Sequence, residues 1–203
     1  LSESEKNQVM NKFIELFQKF NRSNTVQIAV QSKVLSLKDH INTDAFTQVL
    51  NKFLQSSSVL SSDSSLLKSV INSLGIIGSN ISFSILYNNL NDKRYSAYYP
   101  EIEATIQKLI PVSMNEVLQI VHSKDSANTQ RIFNLVKGAD ISTNNLCEIA
   151  ENLLDDSPLI SLKFEALDIL NKNKWTRASN SVLAFFSSSQ KDFENNLVTE
   201  DQF

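Results

Sequence analysis

Apolar residues recur along this chain at the three- and four-residue spacing of helices. This helical period holds nearly throughout the chain, and no convincing strand is predicted. The first helix is predicted from the capping-box pair Ser2 and Glu5, which precedes an apolar stripe. That stripe consists of Val9, Phe13, Leu16, Phe17 and Phe20. Because the helical pattern continues to the end of the chain, we predict an all-α fold.

The same periodicity predicts about ten short helices joined by short loops. Capping residues or prolines mark the expected starts, which are Ser2, Thr25, Thr43, Asp63 or Ser64, Pro100, Ser113, Asp125 or Ser126, Thr143, Ser157-Pro158, and Thr176 or Ser179. The serine-rich stretch Ser56–Ser65 is interpreted as a solvated connection. The final helix is expected to run through Val182, Leu183 and Phe186.

Two segments resemble each other when Asp63–Asn80 is aligned with Asp156–Asn173, and a weaker third copy begins at Asp125. Each copy follows an amphipathic helix, so the repeating unit is a pair of helices. The alignment predicts a core formed by the inward residues of the second helices, which are Leu67, Ile71, Leu74, Ile132, Phe133, Phe164 and Leu167. We expect Leu167→Ala to cost roughly 2–5 kcal/mol of stability.

The segment Asp156–Leu170 has an acidic residue in its turn and Leu162-Lys163 on the helix that follows. In these features it resembles the second helix of a HEAT or armadillo repeat. The resemblance implies an α-solenoid of stacked helical hairpins. We expect residues 1–203 to form one segment of such a solenoid, as a fragment of a longer repeat protein. The alternative is an irregular helical bundle.

Composition narrows the functional classes. Three glycines and three prolines are few for folds that depend on glycine-rich turns or phosphate loops. Two histidines and one cysteine supply little for metal binding or catalysis, so we expect no enzyme activity, no metal and no cofactor. The net charge of −3 favours neither nucleic acid nor an anionic membrane as a partner.

The single cysteine, Cys147, excludes an internal disulfide and lies on an apolar stripe, so it is interpreted as a buried thiol. No apolar run reaches the length of a membrane span, and the first residues lack the pattern of a secretory leader. We therefore expect a cytoplasmic protein that could also enter the nucleus.

The repeat alignment also predicts a protein-binding surface, because solenoids bind partners along the concave face formed by their second helices. In each repeat, two polar positions lie off the apolar stripe, four residues apart on one helical side. They are occupied by Lys68 and Asn72, by Gln130 and Asn134, and by Ser161 and Glu165. This mixed character argues against a nucleic-acid groove, where Lys and Arg should dominate.

Two segments carry a more specific resemblance. Val70–Asn80 and Asp156–Leu170, the latter followed by Trp175, resemble parts of the C-terminal half of the 26S proteasome non-ATPase regulatory subunit 5 family. The members of that family are HEAT/armadillo-like assembly chaperones. The resemblance implies a non-enzymatic chaperone that holds the C-terminal domain of a proteasomal ATPase subunit during assembly of the regulatory particle base.

Three other interpretations stay open. The chain could be a HEAT/armadillo scaffold or adaptor of another multiprotein complex. The tyrosine-rich segment Asn88–Pro100 combines aromatic and basic residues, which can stack bases, although a packed loop is the simpler interpretation. An enzyme site built from His122, Asp125 and Asp140 is the weakest alternative, because their spacing matches no metal-ligand pattern.

Overall fold

The computed structural model describes residues 2–56 and 64–194, with side chains described as far as Lys191. These residues form helices and contain no strand, so the all-α prediction is confirmed. The eleven α-helices of this part of the chain are α1 (Glu3–Lys19), α2 (Asn24–Ser36), α3 (Asp44–Gln55), α4 (Ser64–Ile77), α5 (Asn80–Asn89), α6 (Tyr99–Leu109), α7 (Met114–His122), α8 (Ser126–Lys137), α9 (Thr143–Asp156), α10 (Ile160–Lys172) and α11 (Ser179–Glu194). Most of the predicted connection Ser56–Ser65 lies outside the described residues.

The chain divides into two compact units, Leu1–Ser113 and Met114–Phe203. In the first unit, consecutive helices pack in pairs: α1 with α2, α3 with α4, and α5 with α6. The first members of these pairs contact one another in succession, and so do the second members. We call α1, α3 and α5 the first layer of this unit, and α2, α4 and α6 its second layer.

The second unit repeats the pairing, with α7 packed against α8 and α9 packed against α10. Its first layer is formed by α7, α9 and α11, which contact one another in succession. Its second layer is formed by α8 and α10, which are joined by an ion pair of 3.0 Å between Lys137 and Glu165. The last described helix, α11, therefore belongs to the first layer.

Most helix ends follow the local chemistry of the sequence. The Ser2 and Glu5 side chains form the predicted capping box at α1, each accepting a hydrogen bond from the other residue's backbone N–H. The Asp125 carboxylate caps α8, and Gly138 ends it. Pro100 lies in the first turn of α6, where its missing N–H costs no helical hydrogen bond.

The predicted helix start at Ser157-Pro158 is wrong. Helix α9 continues to Asp156, and α10 begins only at Ile160. The Ser157 hydroxyl does accept a hydrogen bond from the Leu159 N–H, at 3.1 Å, but this bond stabilises the turn between the two helices. A Ser-Pro pair indicates a chain reversal equally well, and in this protein the reversal occupies both residues.

The sequence prediction also missed α5. Its apolar residues surround the helix instead of lying on one side, since Phe83 and Leu86 are buried while Ile81 is 59% exposed. The alternation of isoleucine, serine and phenylalanine at its start further weakens the helical period. The helix is held by packing on both neighbours, α3 and α6.

The repeat alignment correctly predicts the buried faces of α4 and α8. Ile71 and its counterpart Phe133 are fully buried. Leu74 is also fully buried, and its counterpart Val136 is only 1% exposed. On α4, a polar contact joins this core to α2, because the Gln31 side-chain oxygen accepts hydrogen bonds from the hydroxyls of Ser69 and Ser73. These bonds satisfy a buried amide that would otherwise destabilise the core.

For α10 the alignment is wrong. Phe164, which it places inward, is 39% exposed, and Leu167 is only half-buried. The face that packs on α9 is instead Leu162, Ala166 and Leu170. The small Ala166 lets α10 approach its neighbour closely, and the bulky face turns toward α11, where the Phe164 and Phe185 rings meet edge to face at 5.7 Å.

Candidate protein-binding surface

Lys68 and Asn72 lie on the exposed side of α4, one helical turn apart. The Lys68 ammonium forms an ion pair of 2.5 Å with Glu101, in the first turn of α6. The hydrogen bond and charge of Glu101 raise the pKa of Lys68, and the same contact lowers the pKa of Glu101. Lys68 therefore already links two neighbouring helices of the second layer.

Gln130 and Asn134 lie one turn apart on α8, and the Gln130 amide donates a hydrogen bond of 3.3 Å to the Asn134 side-chain oxygen. Asn134 is exposed, whereas Gln130 is half-buried. Lys137, close to Asn134 on the same helix, holds Glu165 of α10 in the ion pair described above. Asn134 and Glu165 thus border one continuous patch of the second layer.

Ser161 and Glu165 are both exposed on α10. The structure therefore places all six predicted residues on second-layer helices, five of them exposed. It also shows that the two charged members, Lys68 and Glu165, are engaged by charges of the neighbouring helix. The other four members, Asn72, Gln130, Asn134 and Ser161, carry amides or a hydroxyl. Their exposed polar atoms face solvent or one another.

A second surface was not predicted. Helices α10 and α11 border an open groove of about 660 Å³ whose lining is mainly apolar. Leu167 and Leu170 contribute from α10, and Leu183 and Phe186 from α11. Leu183 is 65% exposed and Phe186 is 48% exposed. Among the described side chains of α11, Phe185 is the buried aromatic residue.

One end of this groove is built by the connection between the two helices. The Trp175 ring lines the groove, and its indole N–H donates a hydrogen bond of 3.0 Å to the Glu151 carboxylate of α9. The Arg177 guanidinium lies 5.3 Å from the centre of the Trp175 ring, a cation–π distance. Lys174 also lines the groove at this end. One signal in the sequence could have revealed this groove. Helix α11 contains two apolar doublets, Val182-Leu183 and Phe185-Phe186, which are more apolar residues than a single buried face requires.

The tyrosine-rich segment Asn88–Pro100 is a packed connection. Tyr95 is buried, and its hydroxyl donates a hydrogen bond of 3.2 Å to the Leu54 carbonyl. Arg94 is bound to the Asp92 carboxylate through two of its nitrogens. Because these side chains are used within the fold, they do not form an open platform for stacking bases.

Two of the residues considered for an enzyme site have other contacts, since Asp125 caps α8 and His122 pairs with Asp156. The His122 ring nitrogen Nδ1 lies 2.6 Å from an Asp156 carboxylate oxygen, and this is an exposed pair between two helix ends. Across residues 2–56 and 64–194, no group of three or more His, Cys, Asp or Glu side chains could hold a metal ion. Cys147 is fully buried, and burial raises the pKa of its thiol, which disfavours the nucleophilic thiolate.

No protein-family model matches the chain, and no curated protein or solved structure matches it either. Among the helices of the described residues, none combines the length and apolar character that crossing a lipid bilayer requires.

Proposed function

We propose that this chain is a non-enzymatic protein-binding scaffold of the α-solenoid type. The observation that carries the proposal is the order of helix packing within each unit. Consecutive helices pair. Both layers of the first unit and the first layer of the second unit are built from helices that contact one another in succession, while α8 and α10 are joined by the ion pair between Lys137 and Glu165. Stacked helical hairpins of this kind bury one face on the next pair and leave a long surface of second helices for a partner.

The character of the second-layer surface of each unit supports a protein as the partner. Asn72, Asn134 and Ser161 are exposed polar residues of low charge, suited to the hydrogen-bonded rim of a transient interface. The charged residues around them are arranged as intramolecular pairs of opposite sign. A nucleic-acid surface would instead present a clear excess of Lys and Arg.

The partner we propose is the C-terminal domain of a proteasomal ATPase subunit, from the resemblance of Val70–Asn80 and Asp156–Leu170 to the regulatory subunit 5 family. The chain would hold this domain during assembly of the regulatory particle base and then leave. A HEAT/armadillo scaffold or adaptor of another complex is the alternative identity for the same surface.

The test is titration calorimetry of the purified chain against purified C-terminal domains of the regulatory-particle ATPases. Asn72→Lys and Asn134→Lys, combined in one variant, change the second-layer surface of each unit without replacing a member of an ion pair. We expect at least tenfold weaker binding, corresponding to about 1.4 kcal/mol. Lysine favours helix more than asparagine does, so the fold should be kept.

The matched control combines Asn11→Lys and Asn115→Lys, which make the same chemical change on exposed positions of the first-layer helices α1 and α7. Its affinity should equal that of the wild type. Equal weakening by both double variants would show a non-specific effect of charge and would contradict the proposed surface. Absence of binding to every ATPase domain would rule out the chaperone identity, and crosslinking with mass spectrometry would then identify the partner.

A further inference from the structure

An open pocket of about 460 Å³ lies in the first unit, where α1, α2 and α3 meet. We call it the α1–α3 pocket. Its apolar wall is formed by Phe17 of α1 and by Val49 and Phe53 of α3. The other residues that line it are polar, among them Gln27 of α2 and Lys52 of α3. An apolar wall with a few polar groups, at this volume, is the character of a ligand site.

Gln27 places a hydrogen-bond acceptor at this pocket. The residue is only 3% exposed, and its amide nitrogen donates a hydrogen bond of 3.0 Å to the Phe17 carbonyl. That bond fixes which way the amide faces. The amide oxygen Oε1 is buried and accepts no hydrogen bond from any residue that the structure describes. Because an unpaired buried carbonyl oxygen destabilises a fold, an N–H group of a bound molecule would be stabilising here.

The Gln27 oxygen is covered by its neighbours, so a donor reaches it when a side chain of the pocket wall changes its rotamer. Two wall residues lie outside the closed core, since Gln18 is exposed and Phe53 is half-buried. Side-chain rearrangements of this size are common when proteins bind their partners, and the backbone then moves little. The pocket therefore offers one acceptor beside its apolar wall.

Lys52 gives the pocket a positive charge. Among the described residues that line the pocket, it alone is charged, and it is exposed. No ion pair within the described ranges includes it. Residues 16–38 and 45–55, which build the pocket, contain five Lys and Arg residues but no Asp or Glu. An anionic group is therefore attracted to this part of the unit, and the flexible Lys52 side chain is available to pair with it.

These three features together define one kind of ligand. An apolar group packs on Phe17 and Phe53, an N–H group donates to the Gln27 oxygen, and a carboxylate pairs with Lys52. The last residue of a protein chain carries a carboxylate, a peptide N–H and a side chain on the same carbon atom. Capture of a C-terminal carboxylate is also a recurring mode of peptide recognition.

We propose that the α1–α3 pocket binds the C-terminal residue of a protein partner, with its free carboxylate and an apolar side chain. This inference rests on the proposed scaffold function and names the chemistry by which one part of the partner is recognised. A free N-acylated amino acid is a second source of the same groups, and the experiment distinguishes the two.

The probes are two unlabelled hexapeptides of neutral residues, one ending in leucine and one in phenylalanine, and NMR of the isotope-labelled chain follows their binding. The side-chain amide signal of Gln27 should shift and saturate. Converting the terminal carboxylate to an amide should weaken binding at least tenfold, and so should a terminal serine. Methylation of the last peptide nitrogen removes the N–H donor and should weaken binding several-fold. A Gln27 signal that neither peptide shifts, or equal binding of the carboxylate and amide forms, would overturn the proposal.

Lys52→Gln should weaken the peptides at least tenfold, because it removes the charge that pairs with the carboxylate. The matched control is Lys33→Gln, the same change at an exposed lysine of α2 that does not line the pocket. This control should keep the wild-type affinity. Circular dichroism should find both variants folded, since both lysines are exposed. Equal weakening by the two variants would show a general attraction of charge and would contradict the pocket.

Three further outcomes separate this inference from its alternatives. N-acetyl-leucine supplies the same groups without the preceding residues and should bind at least tenfold more weakly than the hexapeptide; equal binding would identify a small-molecule site and overturn the protein terminus. A wild type that binds its protein partner but neither peptide would reject the pocket and leave the scaffold function standing. Saturable peptide binding without binding of any whole protein would reject the scaffold function and leave the peptide site standing.

Discussion

The two leucines Leu162 and Leu167 of α10 provide a sharp test of how this helix is oriented. Leu162 is fully buried against α9, whereas Leu167 is half-buried and lines the open groove. Both substitutions to alanine remove the same three carbon atoms from the same helix. Any difference in their effect on stability therefore reports burial and cavity formation alone.

The expected magnitudes follow from that difference. Removing three buried carbon atoms costs about 2.4 kcal/mol in transfer free energy, and the cavity left at Leu162 raises the total to about 3 kcal/mol. At Leu167 about half of the transfer free energy applies, and the groove leaves no closed cavity, so the cost should be about 1 kcal/mol. Leu162→Ala should thus be about 2 kcal/mol less stable than Leu167→Ala.

The assay is urea denaturation followed by the emission of Trp175, which lies in the same unit as both leucines. With a denaturant dependence of roughly 1–3 kcal/mol per molar, the midpoints of the two variants should differ by about 1 M. Circular dichroism at the same urea concentrations checks that helix content follows the same transition. Equal midpoints would refute this orientation of α10, and a lower midpoint for Leu167→Ala than for Leu162→Ala would favour the orientation that the repeat alignment predicts.

Three other sets of substitutions test separate features. Gly78→Ala should destabilise the first unit by roughly 1–3 kcal/mol, because a Cβ there would collide with the Leu74 carbonyl oxygen. Gly75→Ala should be tolerated, because a Cβ at that position meets only side-chain atoms, at 3.2 Å or more. Thermal melts of the two variants compare these effects. Tyr95→Phe should lower the free energy of unfolding, measured by urea denaturation, by about 1 kcal/mol, because it removes the hydrogen bond to the Leu54 carbonyl. Tyr98→Phe, the same change at a half-buried residue, should lower it by less. Equal decreases would contradict the hydrogen bond. Because the pKa of Glu101 is lowered in the folded chain, its pairing with Lys68 stabilises the fold above the ordinary carboxyl pKa of 4.5 and is lost as the pH falls through the folded value. Glu101→Gln should flatten this part of the stability-against-pH curve, and an unchanged curve would argue against the pairing.

The helical content could be predicted from sequence because caps and apolar spacing act locally. Ser2 and Asp125 cap the starts of α1 and α8, and Gly138 ends α8. These termini depend on bonds or conformations set within a few residues, and the predictions are confirmed. Helix α5 could not be predicted in this way, since its apolar residues follow no single face and packing on α3 and α6 decides its structure.

The orientation of α10 shows a different limit. Two sets of residues on this helix satisfy the same helical spacing, one containing Phe164 and Leu167 and the other containing Leu162 and Ala166. Hydrophobicity alone favours the bulkier set, but close approach to α9 favours the set with the small alanine. The choice depends on the shape of a neighbouring helix, which is absent from the local pattern.

The candidate surface was predictable in outline only. Repeat spacing correctly placed Asn72, Asn134 and Ser161 on exposed sides of their helices. It gave no sign that Lys68 would bind Glu101, because the two residues are far apart in sequence and meet only when α4 and α6 pack together. The groove at α11 was signalled only by the apolar doublets of that helix, since exposed and buried apolar residues look alike in a sequence.

The packing of each helix on its recent predecessors has a consequence for how the chain folds as it is synthesised. Helix α4 contacts α2 and α3, and α6 contacts α4 and α5, so the partners of each helix have already been translated when it emerges. Within each unit, structure can therefore grow from the amino-terminal end, with short loops to close at every step. Such growth leaves little apolar surface waiting for a distant segment, and it brings α11 into place after the helices on which it packs.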